Sequence, residues 1–227
     1  MPAPGVRPAG APRKALAGWA ALASLQIALS FGGRAGDGTT SRDVFYRYDV
    51  LGASLVLYAV LVGLTVWIAS AYPSTREALG LRRFPLRWIA ISAGVVIASA
   101  AVAQALEPVL HAGRDQGYAP EVWRPQHALA FALNGLFAAT VVPFAEELFF
   151  RGLGVRVLAV LGGGGAVAGT ALVFALAHGL LVAVPPLFFF ALGLGWVRLR
   201  SGSVWPGILA HGAYNGLAIV VAFLSVQ

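Results

Sequence analysis

The sequence predicts an all-α protein, a polytopic transmembrane helix bundle of about seven spans, within a range of six to eight. Of its 227 residues, 59% are hydrophobic and only 11% are charged, against about 25% charged in ordinary soluble domains. Long apolar runs recur along the chain, and several approach the roughly 20 residues that a helix needs to cross a bilayer. The short connections between them leave no room for a separate soluble domain.

The apolar runs divide the chain into three regions. Segment 1–14 is rich in Pro, Ala and Gly and is expected to be a disordered cytoplasmic tail. Segment 15–126 is expected to hold three spans with their loops, and segment 127–227 a helix bundle of four spans that carries the chemistry. The predicted spans are 15–31, 50–71, 88–106, 127–150, 166–182, 187–199 and 204–226.

Three local features affect these boundaries. Four successive glycines, Gly162 to Gly165, predict a loop, because glycine is too flexible for a helix interior. Pro185 and Pro186 are expected to interrupt the chain before the sixth span. A signal peptide is the competing interpretation of the first run, since a basic segment precedes it and Ala28-Leu29-Ser30 has the small residues of a cleavage site.

The net charge of +7 does not indicate nucleic-acid binding, because the basic residues lie mostly in short loops and no such motif is present. Loop arginines contact anionic lipid headgroups and set the topology of membrane proteins. They are more frequent in the segments that are cytoplasmic if the amino terminus is inside, which predicts that orientation. Without cysteine, disulfides and thiol chemistry are excluded.

Two adjacent carboxylates, Glu146 and Glu147, end the fourth apolar run. Ionisable groups inside a membrane cost a few kcal/mol each and therefore usually mark a site or a pathway. On a helix, Glu147 and Arg151 stand at i and i+4 and can pair, while Glu146 points roughly 100° away. Glu146 is then available for chemistry, whereas Glu147 with Arg151 could also be a purely structural ion pair.

Other polar residues lie at a similar predicted depth. At 1.5 Å per residue, His178 is roughly 18 Å into the fifth span, and His211 and Asn215 are roughly 10 to 17 Å into the seventh. His211 and Asn215 share a helix face, as do Phe174 and His178, so that Phe174 could wall a site beside the imidazole. We expect these groups to converge with Glu146 in a site that faces the cytoplasm.

Each of these residues also has a structural interpretation. A single histidine in an apolar helix is more often a hydrogen-bonded packing residue than a catalyst. Asn215 alone would form an interhelical hydrogen bond, the usual role of a buried amide in membranes. His111 and His127 lie in or beside the outer loop and are expected to be solvated.

Three motifs in this region occur in a specific order and at helical spacing. They are E-E-x-x-x-R (Glu146, Glu147, Arg151), F-x-x-x-H (Phe174, His178) and H-x-x-x-N (His211, Asn215). Together they resemble the type II CAAX prenyl endopeptidase family, whose bacterial members form the CPBP or Abi group with bacteriocin-processing and self-immunity proteins. The resemblance covers about residues 127–220. Family enzymes are generally described with eight membrane helices, whereas seven are counted here.

The resemblance implies an intramembrane endopeptidase of a bacterial cytoplasmic membrane. Glu146, aided by His178, would act as general base on a water molecule, and His211 and Asn215 would donate to the oxyanion. Glu147 and Arg151 would stabilise the helix end and the local charge. The expected partners are membrane lipid and a peptide or protein substrate, lipidated or leader-bearing, with no nucleic acid.

Several alternatives stay open. Glu146, His178 and His211 could form the three-ligand set of a catalytic zinc site. Against this, the sequence lacks H-E-x-x-H and the same residues can act without metal, so we commit to no cofactor and no metal. The alternative function is a membrane scaffold or immunity-type binding protein without hydrolysis. A small transporter with Glu146 as proton relay is disfavoured, because no inverted repeat is visible.

Overall fold

In the computed structural model, which describes residues 12–35, 43–112, 120 and 122–224, every regular element is helical. The α-helices are α1 (Arg13–Ala35), α2 (Tyr48–Ala69), α3 (Thr75–Ala78), α4 (Arg87–Leu110), α5 (Ala128–Glu146), α6 (Val155–Val157), α7 (Gly162–Leu176), α8 (Val184–Ser201) and α9 (Trp205–Leu224). A π-helical segment, Glu147–Gly154, joins α5 to α6. Short 3-10 turns lie at Val44–Tyr46, Pro125–His127, Leu158–Leu161 and Leu181–Ala183. The predicted all-α class is confirmed.

Among the described residues, six helical stretches are long and apolar enough to cross a membrane. One of them, Pro125–Leu176, has 52 residues and contains the predicted fourth span and the first eleven residues of the predicted fifth. Its two halves fold back on each other. The close contact that shows this is between Gly154 and Thr170: a Cβ atom built on Gly154 would lie 2.9 Å from Cγ2 of Thr170. These two residues would be about 24 Å apart in a continuous helix. The stretch is therefore a hairpin, and the bundle agrees with about seven spans.

The glycine run at this hairpin does not form the predicted loop. The chain reverses through the turn Leu158–Leu161 and through Gly162, whose φ of 74° is strained for residues with a side chain. The three following glycines already belong to the first turn of α7. Pro185 and Pro186 likewise lie in the first turn of α8. Backbone N–H groups in the first turn form no intrahelical hydrogen bond, so proline, which has no N–H, is tolerated there.

The segments that connect the helices lie at two ends of the bundle, and hydrogen bonds between them identify each end. At one end, the backbone N–H of Val204 donates to the carbonyl of Gly80 over 3.0 Å. At the other end, the hydroxyl of Tyr46 donates to the carbonyl of Val122 over 3.1 Å. We call these the Gly80 end and the Tyr46 end. The predicted orientation makes the Gly80 end cytoplasmic.

The amino-terminal helix is an integral part of this bundle. The predicted tail lies mostly outside the described residues, and α1 already begins at Arg13. The indole N–H of Trp19, which is only 4% exposed, donates to the carbonyl of Phe149 in the π-helical segment over 3.1 Å. Residues on the outer faces include many exposed leucines and valines, as expected for surfaces that contact lipid. His111 and His127 are exposed, as predicted.

Candidate active site

The two glutamates lie where the helix changes its geometry. Glu146 is the last residue of α5, and Glu147 is the first residue of the π-helical segment. π-Helical turns are rare and frequently occur at functional sites. Because Pro143 has no N–H, it cannot donate to the carbonyl of Ala139, and α9 approaches at that point: a Cβ atom on Gly212 would lie 2.6 Å from this carbonyl oxygen.

Glu147 forms the buried part of the site. Its Oε1 lies 2.8 Å from Nη1 of Arg151 and 3.0 Å from Nδ1 of His211. The side chains of Glu147 and Arg151 are 0% and 1% exposed. Cζ of Arg151 also lies 4.2 Å from the ring centroid of Phe174, in a cation–π contact. The predicted i, i+4 pair is present, and it has an imidazole as an additional partner.

Glu146 faces a different set of groups. The hydroxyl of Tyr58 on α2 donates to Oε1 of Glu146 over 3.1 Å. Oε2 lies 3.8 Å from Nε2 of His211 and, among the described residues, has no hydrogen-bond partner. The side chain is 13% exposed. One oxygen of this carboxylate is therefore held, and the other remains able to accept a proton.

The hydrogen bonds of the two histidines fix which nitrogen carries a proton. Nδ1 of His178 lies 2.8 Å from the carbonyl oxygen of Phe174, which can only accept, so Nδ1 must be the donor. Nδ1 of His211 donates in the same way to the carboxylate of Glu147. In the neutral imidazoles, both Nε2 atoms consequently keep a lone pair.

Phe174 lies between the two imidazoles. Its ring centroid is 4.7 Å from that of His178 and 5.7 Å from that of His211, both edge to face. The side chain is completely buried. Phe174 thus packs against both imidazoles and against the guanidinium of Arg151.

Asn215 stands one helical turn beyond His211 on α9. Its Nδ2 donates to the carbonyl of Ala138 over 2.9 Å, which is the interhelical hydrogen bond that the structural interpretation of this residue anticipates. An amide nitrogen has two N–H groups, so one donor remains for a further partner.

One cavity of about 470 Å³ brings the predicted residues together. Its walls include Glu146, Phe174, His178, His211 and Asn215, contributed by α5, α7 and α9 or by the chain just after α7. Glu147 and Arg151 do not line this cavity and lie behind it.

The cavity continues away from the site in one direction. Beyond Asn215 its walls include Phe45 and Asn134, and Asn134 donates to the carbonyl of Phe45 near the Tyr46 end. In the predicted orientation this end is the outer one. The direction of the cavity therefore disagrees with the predicted cytoplasmic opening of the site.

The cavity also reaches the lipid-facing surface between α1 and α2. These helices approach closely where a Cβ atom on Gly18 would lie 3.1 Å from Cγ1 of Ile68. Farther from the Gly80 end, Leu25 and Leu29 of α1 and Leu57 of α2 line the cavity while 53 to 60% of each is exposed. A side entrance from the bilayer is therefore built into the fold.

Tyr58 is the residue of the site that the sequence did not reveal. It lies in α2, 88 positions from Glu146, and no motif surrounds it. Its position in the middle of an apolar span was the only available signal, and a tyrosine there is equally compatible with packing.

A catalytic zinc ion is usually held by three protein ligands that converge on it. Within the described part of the chain, no group of three or more His, Asp or Glu side chains is placed so that it could hold a metal ion. Of the set considered from the sequence, both histidines donate through Nδ1 and Glu146 accepts through Oε1, so only Nε2 of each histidine and Oε2 of Glu146 could bind a metal. The structure does not gather Glu146, His178 and His211 into a ligand group.

Comparison with known proteins agrees with the motifs. Residues 128–217 match the family model described as type II CAAX prenyl endopeptidase Rce1-like. The description names a family of membrane endopeptidases that act on CAAX-type substrates. Neither a comparison with curated proteins nor one with solved structures gave a match. The matched stretch begins with α5 and contains every residue of the predicted site, whereas Tyr58 lies outside it.

Proposed function

We propose that this chain, whose residues 128–217 match the Rce1-like model, hydrolyses peptide bonds inside the membrane with a water molecule activated by Glu146. One observation carries the proposal: the free Oε2 of Glu146 faces Nε2 of His211 at 3.8 Å, in a cavity that His178 also lines. A water molecule about 2.8 Å from both atoms satisfies ordinary hydrogen-bond geometry. A general base must lie within hydrogen-bond reach of the water it deprotonates, and Oε2 of Glu146 meets this requirement.

In the first step the water oxygen attacks the carbonyl carbon of the scissile peptide bond. Glu146 takes the proton at Oε2, and the lone pair on Nε2 of His178 orients the water. The result is a tetrahedral intermediate with a negative charge on the former carbonyl oxygen. Because the cavity is mostly apolar, donors directed at this oxygen act more strongly there than in water.

Two side chains on α9 can stabilise that oxyanion. Asn215 offers the N–H group that Ala138 does not use. His211 donates through Nε2 once it has taken up a proton from solvent, while Nδ1 stays on Glu147, and it gives that proton back to solvent when the products leave. In the second step the C–N bond breaks, and Glu146 returns its proton to the leaving amine, which restores the carboxylate.

Glu147 and Arg151 have a positioning role in this scheme. Their buried pair fixes Nδ1 of His211 and thereby the direction of Nε2. The substrate is a membrane-associated peptide or protein segment, lipidated or leader-bearing, because the cavity opens both toward the Tyr46 end and laterally toward lipid. No metal is assigned to the reaction.

The test is a peptidase assay of the purified protein in proteoliposomes with a panel of membrane-tethered peptides. Glu146→Gln keeps the shape and the acceptor for Tyr58 but removes the basic oxygen, so cleavage should fall to background while the thermal unfolding temperature stays unchanged. The matched control is Glu77→Gln, an exposed carboxylate paired with Arg82, which should cleave like the wild type. Full activity of Glu146→Gln would refute the proposal, and a chain that binds but never cleaves would support the scaffold alternative.

A further inference from the structure

The helix α2 contributes a polar contact to the proposed site from outside the matched stretch. Tyr58 stands near the middle of α2, and its hydroxyl donates to Oε1 of Glu146 over 3.1 Å. Its ring packs edge to face against Phe137 of α5, with 5.5 Å between the centroids. The ring is thus held by packing, and the hydroxyl is directed at one oxygen of the carboxylate.

The surroundings of Glu146 show why this contact matters. The charged or titratable groups that face it are Tyr58 from α2, His211 from α9 and His178 from the end of α7, and Glu147 and Arg151 lie behind it on the same helical path. Of these, only Tyr58 makes a hydrogen bond to the Glu146 carboxylate within the described chain. Nε2 of His211, at 3.8 Å, is too far for a direct one.

We propose that Tyr58 is a positioning residue that fixes the Glu146 carboxylate so that Oε2 is the oxygen that accepts the proton. The inference rests on the proposed function, because it assigns a role relative to the proposed base. A glutamate side chain has three rotatable bonds, and a carboxylate held at neither oxygen can turn either one away from the water. A donor on Oε1 removes that freedom and leaves Oε2 with its lone pairs directed at the imidazole of His211.

This role would make the amino-terminal half of the chain a part of the site. Every motif lies within residues 128–217, yet the proposed base has its hydrogen bond from α2. Since α2 also lines the cavity beside the lateral entrance, the helix that admits the substrate and the helix that orients the base are the same.

The experiment compares Tyr58→Phe with the wild type in the proteoliposome assay, with kcat and KM measured separately. Phenylalanine keeps the ring and its contact with Phe137 and removes only the hydroxyl. We expect kcat to fall about tenfold, the usual size for one hydrogen bond to a charged group, with KM within twofold and the unfolding temperature unchanged. The matched control is Tyr48→Phe in the same helix, whose side chain is 55% exposed and which should behave like the wild type.

Binding of an uncleaved peptide separates positioning from substrate contact. In the inactive Glu146→Gln background, adding Tyr58→Phe should leave the affinity for a fluorescent membrane-tethered peptide unchanged. An unchanged kcat in Tyr58→Phe, or a loss that appears in KM and in this affinity, overturns the inference. Either result leaves the proposed function intact as long as the wild type cleaves and Glu146→Gln does not.

Discussion

Nδ1 of His211 lies 3.0 Å from the same Oε1 of Glu147 that binds Arg151. A single carboxylate oxygen thus pairs with a guanidinium on its own helical segment and accepts a hydrogen bond from an imidazole on α9. Because Glu147 is completely buried, these two partners replace the water that would otherwise solvate its charge. The pair of adjacent glutamates therefore divides into a buried anion with two partners and a partly accessible carboxylate, which is the proposed base.

Glu147→Gln should destabilise the protein strongly, because it leaves the Arg151 guanidinium buried without a counter-charge. Removing one partner of a buried ion pair costs about 3 to 5 kcal/mol. Thermal unfolding in detergent should show a large drop in Tm for this variant. The exposed pair of Glu77 with Arg82 gives the control, since Glu77→Gln should change stability by less than about 1 kcal/mol. A Glu147→Gln protein as stable as the wild type would contradict a structural role.

The sequence could predict this pair because both residues lie one helical turn apart in a single segment. It could also predict that His178, His211 and Asn215 lie near Glu146, since depth in a membrane follows from the number of residues in each span. It could not predict the contacts of His211 with Glu147 or of Tyr58 with Glu146. These depend on how α2 and α9 rotate and approach α5, and the rotation of a membrane helix is set by packing against its neighbours, which the sequence of one span does not determine.

The backbone geometry was also only partly predictable. A helix over 127–150 was expected, but the π-helical segment Glu147–Gly154 was not, because its apolar residues fit an α-helix equally well. The prediction of a loop over the four glycines is wrong, since the turn Leu158–Leu161 and Gly162 make the reversal. The flexibility of successive glycines favours a break in the helix, but α7 packs against its neighbours and begins within the glycine run.

Gly152→Ala should destabilise the Gly80 end of the bundle. A Cβ atom at this position would lie 2.8 Å from the carbonyl oxygen and 3.2 Å from Cα of Leu79. The contact is with backbone, so no side-chain rotation can relieve it, and overpacking of this kind costs about 1 to 3 kcal/mol. Unfolding temperatures in detergent should be compared with the same exchange elsewhere.

Gly94→Ala is the matched control for this exchange. Gly94 lies within α4, and nothing stands within 4 Å of a Cβ atom there. Alanine is a better helix former than glycine by about 1 kcal/mol, so this variant should be as stable as the wild type or slightly more stable. Equal effects of the two substitutions would show that the close approach of the π-helical segment to Leu79 does not exist in the protein.

The orientation of the bundle decides from which side the cavity is reached, and the chain is well suited to a test because it has no cysteine. Single cysteines can be introduced by Val122→Cys, at an exposed position of the Tyr46 end, and by Arg83→Cys, at an exposed position near the Gly80 end. If the amino terminus is cytoplasmic, an impermeant maleimide added to intact cells should label Val122→Cys. Arg83→Cys should react only after the membrane is opened.

The outcome has a direct consequence for the substrate. With the expected labelling, the walls of the cavity that include Phe45 and Asn134 lead from the site to the non-cytoplasmic surface, and substrates reach Glu146 from that side or from the bilayer between α1 and α2. The reverse labelling pattern would overturn the predicted orientation, and the same cavity would then open toward the cytoplasm. In both cases the lateral entrance remains, because Leu25 and Leu57 are exposed on the lipid-facing surface whichever end is cytoplasmic. A substrate anchored in the membrane can therefore reach the site under either orientation, whereas a water-soluble peptide can reach it only from the compartment that the labelling identifies.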